Sequence, residues 1–95
     1  QYCGIRYRNH PLLRKRCCGC HPPIQTVLAV QDPRTCCCAI EIPVCVSACC
    51  TGAPQVQSRV GLLGCGYVTY RWCCGFTVKV IFRKSGEIVV HTYGL

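Results

Sequence analysis

FTVKVIFRKSGEIVVHTY, residues 76–93, is the stretch on which the fold turns. Apolar and polar residues alternate on both sides of Arg83-Lys84-Ser85-Gly86-Glu87, so the stretch reads as two half-buried strands joined by a tight turn. Phe76, Val78, Val80 and Phe82 fall on the core face, with Thr77, Lys79 and Ile81 on the other. A three-residue loop with Gly86 in the left-handed region makes a turn plus bulge that matches strand twist. That loop pairs Phe82 with Ile88, Val80 with Val90 and Val78 with Thr92. A two-residue loop at Ser85-Gly86 would set Val80 opposite His91 and put an imidazole among apolar pairs, so the longer loop is predicted.

Working back along the chain, residues 67–73 alternate Val68, Tyr70 and Trp72 against Tyr67, Thr69 and Arg71. This suits an antiparallel strand with Arg71 facing out, hinged to the next strand at Gly75. A short strand is expected at residues 55–60, among loops punctuated by Gly52, Pro54, Gly61, Gly64 and Gly66. Residues 36–46 place Cys36, Cys38, Ile40, Ile42, Val44 and Val46 on one face. Pro43, which cannot donate to a ladder, marks this strand as an edge or as bulged. Residues 24–30 form the first strand of this run, closed by the turn Gln31-Asp32-Pro33-Arg34. No clean internal repeat and no helical stripe is read. Residues 1–23 are expected to form a basic arm: they hold Arg6, Arg8, Arg14, Lys15 and Arg16, three prolines and no acid. The β domain is expected over residues 24–95. The fold class is therefore all-β, a small antiparallel β-sandwich or partly open barrel, disulfide-rich, with an extended basic N-terminal arm.

Ninety-five residues permit one small domain, and 13 of them are cysteine, which leaves a thin carbon core. Such a density belongs to an oxidising compartment, and a chain beginning at Gln1 is expected to be what remains after a signal peptide is removed. An extracellular or cell-surface location follows. Adjacent cysteines at 17–18, 36–38, 49–50 and 73–74 point to opposite faces of a strand, so one can staple the core while its neighbour faces out. Thirteen is odd, so at least one thiol is free, capped, metal-bound or joined to a partner.

Cys17-Cys18-Gly19-Cys20-His21 has the C-x-x-C-H spacing that attaches c-type haem, which would make a single-haem electron carrier with His10 or His91 as second axial ligand. The same Cys17, Cys20 and His21, with a thiolate from residues 36–38, offer four tetrahedral zinc ligands. Both are alternatives to the preferred reading, which needs no cofactor. Catalysis is not expected. Asp32, Glu41 and Glu87 are the only acids and are far apart in sequence, and no motif singles out a nucleophilic cysteine.

A net charge of +8 draws anionic surfaces, whether polysaccharide or membrane, and also fits a cationic antimicrobial or toxin-like effector. Nucleic acid is not expected as a partner, because Tyr67, Tyr70, Trp72 and Arg71 alternate between core and rim instead of forming one stacking platform. The preferred reading joins the basic arm, the bare strand edges and the odd cysteine count. It is a structural subunit that assembles with copies of itself into a fibre or surface layer by strand addition and intersubunit disulfides. Cys3, Cys17, Cys18 and Cys20, outside the strand core, are the expected cross-link residues.

Overall fold

A computed structural model describes residues 4–10, 24–34, 39–46, 52–61, 63–73 and 75–94. Among them the chain is all-β, with strands β1 (Gly4–His10), β2 (Ile24–Gln31), β3 (Ala39–Val46), β4 (Gln55–Val60), β5 (Gly66–Arg71), β6 (Thr77–Phe82) and β7 (Glu87–Tyr93). They form a five-stranded sheet in the order β1-β7-β6-β5-β4 and a two-stranded sheet of β2 and β3.

Strands β4 to β7 are an antiparallel meander built from one turn used three times. In each turn the first residue's amide donates to the carbonyl four residues on, and the amide three residues on returns to the first residue's carbonyl. The pairs are Gly61–Cys65 with Gly64–Gly61, Trp72–Phe76 with Gly75–Trp72, and Arg83–Glu87 with Gly86–Arg83. Gly64, Gly75 and Gly86 each carry the positive φ that closes the turn, at 81°, 95° and 97°. The predicted register of the last hairpin is the one found: Phe82 opposes Ile88, Val80 opposes Val90 and Val78 opposes Thr92. Because the same turn joins six-residue strands, it recurs every 11 residues, which corrects the reading that the chain has no repeat.

The core lies between the two sheets. Val30, Ile42, Val44 and Val46 from the small sheet share one buried cluster with Val68, Tyr70, Val78, Val80, Phe82, Ile88 and Val90 from the large one, and Trp72 and Phe76 close its end. The core faces predicted for residues 67–73, 76–82 and 40–46 are the faces buried. Full burial of a side chain such as Phe82 contributes about 1.5–3 kcal/mol, so this cluster is a large source of stability among the described residues. Among the described residues β2 and β3 ladder only with each other, so Pro43, opposite Val27, is accommodated without a bulge. The turn after β2 is seated on β5: a Cβ at Gly66 would lie 2.9 Å from both Asp32 Oδ1 and Pro33 Cγ, so the buried backbone there has room only for glycine.

One expectation needs correction, and a second is not shown. Residues 4–10, placed in the arm, form strand β1, and it pairs with β7 in parallel, from Gly4 opposite Glu87 to His10 opposite Tyr93, so the sheet is mixed and not purely antiparallel. The described cysteines, Cys45, Cys65 and Cys73, are all unpaired, so disulfide richness has no support among the described residues; the other ten cysteines lie outside them.

Candidate functional site

One face of the five-stranded sheet is turned away from the core, and the register sets its side chains in three rows across the strands. The first runs His10, Tyr93, Thr77, Arg71, Gln55; the second Arg8, His91, Lys79, Thr69, Gln57; the third Arg6, Val89, Ile81, Tyr67, Arg59. Five cations thus stand on one surface, with Arg83 at its border. Glu87 is the one carboxylate nearby, and it is shared by Arg6 at 3.1 Å and Arg83 at 3.6 Å. Of the other acids, Asp32 is buried against Arg34 at 2.7 Å, and Glu41 is on the small sheet. The sheet therefore separates charge that the sequence spreads over 65 positions, Arg6 to Arg71.

The aromatic rings on this face are already partnered. Arg59 sits 4.9 Å and Lys79 5.6 Å from the Tyr67 ring centroid. His10 stacks on Tyr93 at 4.7 Å, and its Nε2 lies 2.9 Å from His91 Nδ1, within hydrogen-bonding distance. Burial first, then the charges of His10, Arg8 and Lys79, lower the pKa of His91 below its ordinary 6.5. Between the Arg6 and Arg83 side is an open concavity of about 390 Å³, floored by Ile81 and Val89 and walled by Tyr67 and His91. Val89 is buried and Ile81 half-buried, so this floor is apolar within a cationic rim.

The sheet's two ends differ. β1 is tied down along its length: Arg6 to Glu87, Thr92 Oγ1 to Asn9 Oδ1, the Gly94 amide to the His10 carbonyl, and the Tyr7 hydroxyl donating to the Pro43 carbonyl of the small sheet at 2.7 Å. Burial first, then the electrostatic effect of the neighbouring Cys45, raise the Tyr7 pKa. β4 has no such ties on its far side among the described residues, and all six of its residues are exposed. Its closing pair Gly61–Cys65 fixes the alternation of the ladder, so the amides of Val56, Ser58 and Val60 point away from β5. Val56 and Val60 lie on the core side of the sheet yet remain more than half exposed, at 56% and 54%.

Of the residues singled out from the sequence, the structure brings His10 and His91 together, through the parallel pairing that no local pattern announces. Cys3, Cys17, Cys18, Cys20, His21 and residues 36–38 lie outside the described residues. Among the described residues no group of three or more His, Cys, Asp or Glu side chains is placed to hold a metal ion. The basic face itself was missed: Arg59, Lys79 and Arg83 carried no role in the sequence reading. Their outward positions follow from strand alternation, but the meeting of β1 with β7 does not. No protein-family model, curated protein or solved structure matches the chain.

Proposed function

We propose that this chain is a secreted structural subunit, a small β-sandwich that assembles with copies of itself into an extracellular fibre or surface layer. The observation that carries this reading is β4: a strand ending the large sheet with outward amides at Val56, Ser58 and Val60 and with two valines uncovered. Adding a strand from another copy would satisfy those backbone groups and cover the valines, which water otherwise solvates. A contact of this kind that joins two different surfaces extends into a filament when its rotation does not close into a ring. Cys45 and Cys73, both exposed and unpaired, are thiols available for covalent locking between copies, the role the sequence led us to expect of Cys3, Cys17, Cys18 and Cys20.

Light scattering of the reduced chain across a concentration series tests the reading. The unaltered chain is expected to gain mass with concentration. Ser58→Pro, which removes one outward amide while sparing the β5 ladder, and Val56→Lys, which charges the uncovered patch, are each expected to hold it as a monomer with unchanged circular dichroism. A chain that stays monomeric at every concentration sinks the proposal.

A further inference from the structure

We infer that the concavity on the outer face of the large sheet is a binding site for one acidic sugar unit of a linear polyanionic polysaccharide, with the flanking cations following the chain beyond it. This does not rest on self-assembly, since it uses the sheet face and not the β4 edge. Ile81 and Val89 are cross-strand neighbours and form an apolar floor suited to the C–H face of a pyranose ring. Arg6, Arg8 and Arg83 stand around that floor, and Glu87 offsets one of their three charges, leaving a net positive rim for a carboxylate or sulfate. At about 390 Å³ the space is in the range of small-ligand sites and open on one side, as a polymer threading past it requires. Away from it, Lys79, Arg71 and Arg59 alternate with Thr69, Thr77, Gln55 and Gln57. Cations interleaved with neutral hydrogen-bonding groups complement a ligand whose anions are interleaved with hydroxyls.

The same surface argues against the other polyanions. A single-stranded nucleic acid needs vacant rings on which bases stack, and here Tyr67 is covered by Arg59 and Lys79 while His10 and Tyr93 cover each other. A membrane surface is gripped by apolar side chains entering the interface. Of the exposed ones, Ile24, Val27, Val56 and Val60 belong to other surfaces than this face, Ile5 and Tyr7 alternate with Arg6 and Arg8 onto the opposite side of β1, and Leu63 sits in the β4–β5 turn, off the strands that form the face.

Calorimetric titration of the full chain with a heparin oligosaccharide, and separately with an oligogalacturonate, distinguishes sulfate from carboxylate recognition; saturable binding of either at physiological ionic strength is expected. Arg8→Gln is expected to weaken it about tenfold, the loss of one charge-assisted contact. Ile81→Lys gives the decisive contrast. It raises the positive charge of the face but fills the floor, so it is expected to weaken binding, whereas diffuse attraction would be strengthened. Circular dichroism of both variants checks that the sheet is intact. Tighter binding after Ile81→Lys, no binding of either oligosaccharide, or tighter binding of duplex DNA or phosphatidylglycerol vesicles would each overturn the assignment.

Discussion

Asp32 is 1% exposed, and its carboxylate takes the Arg34 backbone amide at 2.9 Å and the Arg34 guanidinium at 2.7 to 3.1 Å. The rest of that guanidinium reaches the carbonyls of Gly64 and Arg83, so one ion pair fastens the β2–β3 connection to two turns of the large sheet. Removing one member of such a pair strands the other, and Asp32→Asn is expected to cost on the order of 3 kcal/mol, read from the midpoint of urea unfolding. The turn around Asp32 was legible, because Asp-Pro is a local signal. Its burial was not, since what buries it is the bare backbone of Gly66, 34 positions away.

Among the elements, β1 is held to the sheet through polar contacts more than through the core, and the His10–His91 pair is one of them. The groups facing His91 are His10 and Arg8 on β1, Lys79 on β6 and its own neighbour Tyr93. Its folded pKa is lowered, so the unfolded chain takes up the proton first. Stability is full above about pH 6.5 and falls as the pH drops from there toward the folded value, below which the loss levels off. Melting temperature is therefore expected to fall between pH 7.5 and 5, and His91→Gln is expected to flatten that dependence. A wild-type curve as flat as the variant's would remove His91 as its cause. The three turns at Gly64, Gly75 and Gly86 were each visible as turn signals, and their equal spacing was the available sign of the repeat.

For the whole molecule, the described residues put stability in a carbon core shared by two sheets and leave Cys45, Cys65 and Cys73 unpaired. If sulfur acts between copies, material oxidised after assembly is expected to run as a ladder on denaturing electrophoresis without reductant and to collapse to the 10.5 kDa band with it. A single 10.5 kDa band in both lanes would count against cross-linking even where association is seen. The register of the last hairpin and the buried faces of residues 40–46, 67–73 and 76–82 were legible in the sequence, because alternation and turn chemistry act over a few neighbouring residues. That Gly4–His10 is a strand beside Glu87–Tyr93, and with it the His10–His91 contact and the basic outer face, emerges from the assembled sheet and from no local pattern. That pairing joins segments about 80 positions apart, and its stability comes from a sheet edge that exists only once β7 is in place.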